Sequence, residues 1–478
     1  MVGALTLLIL GCPKNSTMIS KLMYRFCLLS LVFLVVMVDA YAQQINIKFK
    51  IGGFEDTTAY IGYHFGNQKY LLDTLSVQDG AFEYQGEQPS VGVYFIYAPG
   101  YFLEFVMDQG SFQIETTKPG GYAEMIVTNS RENVIFKEFQ LQMTKIQGQQ
   151  RQKVDSLKLV SGQDSLNLIT EIQGLNALQA QYRKELIDDN PDSFVSAFLK
   201  LLNEKKVPDL NDIPEEYRDL ARYNYHHSHY FEQGLLSDPR LLRTPIIHSK
   251  VMKYLDEVII QHPDTIITHV DKILTQVEND NELFRYWLVT LFKKYAEAKI
   301  MGMDAVMIHL IEHYYLSGKA DWITEEYKKD LMEEVAYVKP NLIGKIAPPI
   351  NVVDSLSQPV LLSNINAEHT LLMFYDPDCG HCKKAIKRLE ELDDRYANAG
   401  VRIFAVCTTT DVKRWKKFVR DSNPSWLHGI DPTGKEYFRV YYNVRSTPQI
   451  YLLDQDKKIL AKKLGVEQFI DIVENRVN

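Results

Sequence analysis

Cys379 and Cys382 stand two residues apart in Asp376-Pro377-Asp378-Cys379-Gly380-His381-Cys382-Lys383-Lys384. This spacing lets the second sulfur attack a mixed disulfide formed on the first, which is the equipment for thiol–disulfide exchange. The same spacing also serves zinc, but a structural zinc site takes four ligands, commonly from two such pairs. The chain has five cysteines: Cys12, Cys27, Cys379, Cys382 and Cys407. Cys12 and Cys27 fall in or before a targeting-type segment, so no second pair exists. His369 and His381 do not complete a Cys-x-x-Cys with His-x-x-x-His pattern, and no metal is expected.

The flanking elements suit redox work. Leu371-Leu372-Met373-Phe374-Tyr375 reads as a buried strand that meets a Pro turn, after which an amphipathic helix opens at the cysteines. A helix N-terminus offers unpaired N–H groups and partial positive charge, which favour a thiolate. Val401 to Cys407 reads as a second strand, and Asp411 to Asp421 as a helix with Val412, Trp415, Phe418 and Val419 on one face. Ile450 to Asp454 and Ile459 to Ala461 read as short strands around a Gln455-Asp456-Lys457-Lys458 turn. A closing helix carries Phe469, Ile470, Ile472 and Val473. Thr447-Pro448 precedes a central-looking strand, where Pro cannot donate to a ladder; a special turn, often with a cis bond, resolves this.

With these pieces in place, residues 340–478 resemble a thioredoxin-fold domain of the TlpA/ResA-like, extracytoplasmic branch. The matching stretches are Gly344-Lys345-Ile346-Ala347-Pro348-Pro349, Phe374-Tyr375 before the cysteine pair, Tyr442-Asn443-Val444 and Thr447-Pro448. The resemblance implies that Cys379 is the nucleophile and Cys382 the resolving thiol of a redox-active disulfide. It also implies that Pro448, in cis and next to Thr447, packs on that disulfide and aligns the substrate backbone. The chain departs from thioredoxin itself at two positions. Met373 replaces a buried Asp, and Asp378 replaces the Trp before the first cysteine. A carboxylate beside Cys379 opposes thiolate formation, whereas His381, Lys383 and Lys384 favour it. The Gly-His insert is that of protein disulfide isomerases. A protonated His381 stabilises the reduced form and makes the pair a better oxidant than thioredoxin, whose potential is about −270 mV, and nearer the isomerase value of about −180 mV.

Other chemistry-bearing residues have plainer readings. Cys407, in an apolar strand, reads as a core cysteine. His226, His227 and His229 lie in Tyr223 to Phe231 with no carboxylate or Cys at helical ligand spacing, so they read as an aromatic–His turn between helices rather than a metal site. Lys413, Arg414, Lys416 and Lys417 around Trp415 read as a solvated helix face. The net charge is −8, which argues against a nucleic-acid partner.

Upstream, Lys21 and Arg25 precede an apolar run from Phe26 to Val38, and Ala40-Tyr41-Ala42 fits a cleavage site. Residues 1–42 therefore read as a secretory signal peptide region, with 1–17 as an upstream extension; an inner-membrane signal anchor is the alternative. The expected location is the periplasm. Residues 43–127 read as an all-β sandwich. Ile45, Ile47, Phe49 and Ile51 alternate with polar residues, several short strands follow, and Asp79-Gly80 marks a hairpin turn. This part resembles, in pattern, the N-terminal β domain that accompanies thioredoxin domains in envelope proteins. Residues 128–337 read as all-α: Leu168, Ile172, Leu175, Leu178, Tyr182 and Leu186 recur at helical spacing, and Pro191 opens a further helix. Lys339 to Pro349 reads as a linker.

The expected architecture is multidomain: an N-terminal all-β sandwich, an all-α middle region and a C-terminal α/β thioredoxin fold. The expected function is periplasmic thiol–disulfide oxidoreduction through Cys379 and Cys382, in the reductase or the isomerase direction, with no metal or organic cofactor. Its partners would be protein thiols or disulfides of the envelope and, for a reductase, a membrane thiol electron donor. An envelope binding or scaffold protein with a passive thioredoxin fold is the alternative. A thiol peroxidase is disfavoured, because Asp376 and Leu372 stand where that family has a Thr or Ser and a Pro. Oligomeric state is not legible.

Overall fold

The computed structural model describes residues 44–203, 205–391, 396, 400–422 and 426–477. The expected signal region 1–42, including its cleavage site, Cys12 and Cys27, lies outside the described residues. The chain forms two compact units: residues up to 203 together with 240–248, and residues 204–239 together with 249 onwards. The helical middle region is divided between them.

In the first unit, the strands are β1 (Gln44–Gly52), β2 (Thr58–Phe65), β3 (Gln68–Ser76), β4 (Ala81–Glu87), β5 (Gly92–Ala98), β6 (Tyr101–Met107), β7 (Gln113–Thr117) and β8 (Ile126–Thr128). They build two four-stranded sheets, ordered β4-β1-β7-β8 and β3-β2-β5-β6. The alternation in β1 buries Ile45, Ile47, Phe49 and Ile51, and the Phe49 ring stacks on Phe82 and meets Phe105 edge-on, both at 5.2 Å between centroids. The turn at Asp79-Gly80 forms, with Gln78 paired to Ala81, but the strands it joins belong to different sheets. Gly80 explains the crossing: its φ is +73°, and a Cβ there would come within 2.4 Å of the Ile51 carbonyl, so only glycine lets the chain pass so close to β1.

Three helices follow: α1 (Arg131–Leu157), α2 (Gln163–Asp189) and α3 (Phe194–Leu202). Ser130 caps α1. Asn133 uses its side-chain amide as a strand partner for Val106, accepting from its N–H at 2.8 Å and donating to its carbonyl at 2.7 Å. Glu132 accepts from the Phe194 and Val195 N–H groups, closing the N-terminus of α3. Along α2, Leu168, Ile172, Leu175, Tyr182 and Leu186 share the covered face as expected, but Leu178 points out and is 44% exposed.

The helices of the second unit are α4 (Glu215–Ser228), α5 (Ile247–Lys253, continued by a π turn, Tyr254–Val258), α6 (Pro263–Val277), α7 (Asn281–Ala296), α8 (Asp304–Leu310, with a π turn, Ile311–Tyr315) and α9 (Glu325–Val338). The first two residues of α5 belong to the first unit. Then come β9 (Asn351–Val353), β10 (Pro359–Leu361), β11 (His369–Tyr375), α10 (Gly380–Glu390), β12 (Val401–Cys407), α11 (Val412–Ser422), β13 (Leu427–Ile430), α12 (Phe438–Tyr441), β14 (Gln449–Asp454), β15 (Ile459–Lys462) and α13 (Val466–Val477). These strands form one mixed sheet, ordered β10-β9-β13-β12-β11-β14-β15, with β11 parallel to β12 and antiparallel to β14. Among the described residues no helix is long and apolar enough to cross a membrane.

The stretch expected as a linker is instead strapped to the sheet. The Gly344 N–H donates to Ile459, the Ile459 N–H to Lys345 and the Ala347 N–H to Lys457, each at 2.8 Å. Asn341 is fully buried, its amide donating to the carbonyls of Tyr337 and Tyr441. The reason is Lys462 on β15, whose side chain is 3% exposed. Its ammonium pairs with Asp304 at the start of α8 and donates to both oxygens of Asn341, at 2.9 and 3.0 Å. Burial pulls the Lys462 pKa down and the Asp304 carboxylate opposes this. An ammonium buried this deeply needs those partners, so the segment cannot swing free. Asp304→Asn, which leaves the ammonium without its counter-charge, is expected to cost about 3–5 kcal/mol in denaturant unfolding of the second unit. A cost below about 1 kcal/mol, the range of exposed pairs, would contradict this assignment.

Candidate functional site

The site is built where β11 ends. Leu371 to Tyr375 are fully buried on both faces of the sheet. Leu371, Met373 and Tyr375 pack with Cys382, Cys407 and Trp415, while Leu372 and Phe374 pack with Phe404, Val406, Tyr442 and Tyr451. A strand held on both sides fixes the point at which the chain leaves the sheet. The turn that follows is made by Asp376, whose side chain accepts from the Asp378 N–H at 2.8 Å and whose carbonyl accepts from the Cys379 N–H at 3.1 Å. Cys379 is thereby extended, with φ −67° and ψ 116°, and becomes the N-cap of α10. Its Sγ accepts from the Cys382 N–H at 3.3 Å, the role a Ser or Asp oxygen plays at other helix starts.

The two sulfurs occupy different surroundings. Cys379 is partly exposed and Cys382 fully buried. Burial pushes the Cys379 thiol up, but hydrogen bonds from the Cys382 thiol and N–H, with the Thr447 side chain and then from the His381 N–H, outweigh it, and its pKa lies below that of an ordinary thiol. Burial, reinforced by the hydrogen bond to Cys379, pushes Cys382 up to about 11. Cys407, fully buried in β12, is driven to about 12, chiefly by burial.

Across from the pair, Thr447–Pro448 is the one cis peptide bond among the described residues. The Thr447 carbonyl accepts from the Cys379 thiol at 3.3 Å. Gln449 holds this loop from behind, donating to the Tyr442 carbonyl at 2.7 Å and to the Tyr451 hydroxyl at 2.9 Å. Arg445 donates to Asn443 at 2.7 Å, pairs with Glu334 of α9 and lies over the Tyr337 ring. The structure thus brings together Cys379, Cys382, Thr447 and Pro448. His381 is exposed; what reaches Cys379 from it is the backbone N–H, and its imidazole makes no hydrogen bond or ion pair among the described residues. Among those residues no group of three or more His, Cys, Asp or Glu side chains is placed to hold a metal. His226 and His227 lie in the last turn of α4 and His229 caps it, so the expected turn is a helix end.

Two features escaped sequence reading. Arg414, expected on a solvated face, reaches across from α11 to the Asp378 carboxylate at 2.6 Å. This pairing offsets the negative charge next to Cys379. Behind Tyr375, the buried Trp415 indole donates to its hydroxyl at 2.9 Å, and that hydroxyl lies 2.9 Å from His428 Nδ1. Burial pulls His428 to about 4, so it is neutral at neutral pH. Because Trp415 only donates, the Tyr375 hydroxyl donates onward to His428. The separation of Arg414 from Asp378, 36 residues, leaves no local signal for the first contact.

Alkylation of the reduced protein by iodoacetamide tests this electrostatic arrangement. The thiolate fraction rises with pH, so Cys379 is expected to react first, with an inflection below the ordinary thiol value of about 8.5, while Cys382 and Cys407 stay protected in the folded state. Arg414→Ala exposes Cys379 to an unpaired Asp378 and is expected to move that inflection upward. Peptide mass spectrometry reads each site separately, and an unshifted inflection would show that the pair is electrostatically idle.

The chain matches the family model for a thioredoxin-like domain over residues 362–473, and models for two domains of unknown function over 44–136 and 181–339. The thiol-disulfide oxidoreductase ResA of Bacillus thuringiensis subsp. konkukian is 30% identical over 124 residues, which cover 26% of this chain and 70% of that protein. ResA of Bacillus cereus is 28% identical over 123 residues, with the same coverage. Among solved structures, a domain of a possible thiol-disulfide isomerase from Cytophaga hutchinsonii is 29% identical, with a TM-score of 0.27, covering 28% of this chain and 93% of that one. A thioredoxin-like protein from Bacteroides caccae is 17% identical with a TM-score of 0.44, covering 57% of this chain and 98% of that one. On the strength of the ResA relatives, this chain belongs to the TlpA/ResA-like family of thioredoxin-fold thiol–disulfide oxidoreductases.

Proposed function

We propose that the protein exchanges disulfides with envelope proteins in the periplasm through Cys379 and Cys382. The observation that carries this reading is the asymmetry of the pair: one accessible sulfur of lowered pKa at a helix N-cap, and one buried sulfur of raised pKa one turn on. In the reducing direction, the Cys379 thiolate attacks one sulfur of a substrate disulfide. An S–S bond forms between Cys379 and that sulfur, and the other substrate sulfur leaves as a thiolate. Cys382 then loses its proton and attacks Cys379, the second substrate thiolate departs, and two electrons have passed from the pair to the substrate. A dithiol donor at the membrane must return them for a further turnover. In the oxidising direction the same steps run backwards from the Cys379–Cys382 disulfide.

At neutral pH very little of the buried Cys382 is thiolate, so the first attack on a substrate disulfide falls to Cys379. Thr447 and Pro448 frame the groove: the Thr447 carbonyl, 3.3 Å from Cys379, can accept a backbone N–H from an extended substrate peptide once the thiol proton has gone. His381 adds its N–H to the thiolate cradle and, when protonated, positive charge at the same helix end. Arg414 screens Asp378.

Equilibration with glutathione and dithiothreitol buffers is expected to place the pair above about −270 mV, on the oxidising side of thioredoxin, with His381→Ala lowering the value. Cys382→Ser should accumulate a mixed disulfide with substrate protein at Cys379, and Cys379→Ser should form none. A pair that forms no disulfide in any of these buffers would overturn the reading.

A further inference from the structure

Outside the redox site, the helical region carries a concavity of about 340 Å³ lined by Lys205, Lys206, Val207, Arg222, Tyr223 and His226. Three of these six side chains, Lys205, Lys206 and Arg222, are cationic, and no carboxylate is among the six. Lys205 and Lys206 have no ion pair among the described residues. Arg222 shares only Nη1 with Asp219, at 3.1 Å, and Asp219 itself is 96% exposed, so that among the described residues Nε and Nη2 have no partner. Counting the lining residues Lys205, Lys206 and Arg222 with the paired Asp219, the charge is +2, in a chain whose net charge is −8.

Two histidines beside it feel a further cation, Lys272, and one of them also feels His226 of the lining. His227 is held below the ordinary histidine value by burial and then by the positive charges of Lys272 and His226. His269, in edge-on contact with His227, is pulled to about 4 by burial and then by Lys272 and His227. Like charges gathered around a hollow repel one another, and a dianion seated among them removes that repulsion.

We propose that this concavity binds a small molecule carrying a phosphate dianion. Arg222 supplies a planar fork for two phosphate oxygens, Lys205 and Lys206 act as point charges, and Tyr223 with Val207 forms an apolar wall for the organic part. The volume suits a ligand of a few rings at most. The inference does not depend on the cysteine chemistry, since none of these residues touches the pair.

Isothermal titration of the whole mature protein, at constant ionic strength in chloride buffer, tests it with two probes, inorganic phosphate and phenyl phosphate. Saturable binding of one equivalent is expected, tighter for phenyl phosphate. Arg222→Glu and Lys206→Glu should each weaken it by about tenfold or more, while Lys413→Glu, a charge reversal on α11, should leave it unchanged. Unchanged circular dichroism in each variant separates lost binding from lost fold. Absence of saturation by either probe below about 10 mM, or equal weakening by Lys413→Glu, would overturn the proposal.

Discussion

A helix that begins at a sulfur governs this site. Because α10 starts at Cys379, the backbone N–H groups of the first turn, which no preceding carbonyl can satisfy, converge on that atom. Cys382 is one turn further on and faces the core instead. Two chemically identical side chains therefore differ in acidity because of where the helix starts. The start is fixed by the buried β11 and by the Asp376 turn that follows it. The chain has no buried carboxylate at Met373 to set the acidity of the pair, and the helix geometry does so without one.

The second constraint is charge buried away from water. Lys462 is held by Asp304 and Asn341, and so ties β15 to the start of α8 and to the end of the α9 segment. Arg445 joins α9 to the loop that carries Thr447. The latter pair is exposed and contributes little to stability, but it orients. The loop facing Cys379 is thus set in part by residues more than a hundred positions upstream.

How much of this was legible depended on the range of the interactions. The helix start, the strand before it and the Thr447-Pro448 turn are local patterns, and the residues themselves announced them. The Asp378–Arg414 pair, the Trp415–Tyr375–His428 chain and the anchoring of Asn341 by Lys462 join segments far apart in sequence, and nothing local encodes them. Within the region expected to be helical, two helices left little pattern of their own, for different reasons. No residue of α4 is fully buried, so it lacks an apolar stripe. In α1 the buried residues stop at Ile146 and the second half stands in solvent, leaving a pattern only half as long as the helix. The hairpin signal at Asp79-Gly80 was right about the turn and silent about the crossing between sheets, because that crossing depends on the approach to Ile51.

The strap from Gly344 to Ala347 has a consequence for self-association. An outermost strand with free N–H and C=O groups is a template on which a second chain can add. Here β15 has that side occupied by its own upstream chain, and the opposite margin of the sheet is the three-residue β10. Asn133 does the same at β6 in the other unit, plugging one position with a side-chain amide. The chain thus blunts three of its own sheet margins from within, and among the described strands a second chain could continue a ladder only at the other three, β3, β4 and β8.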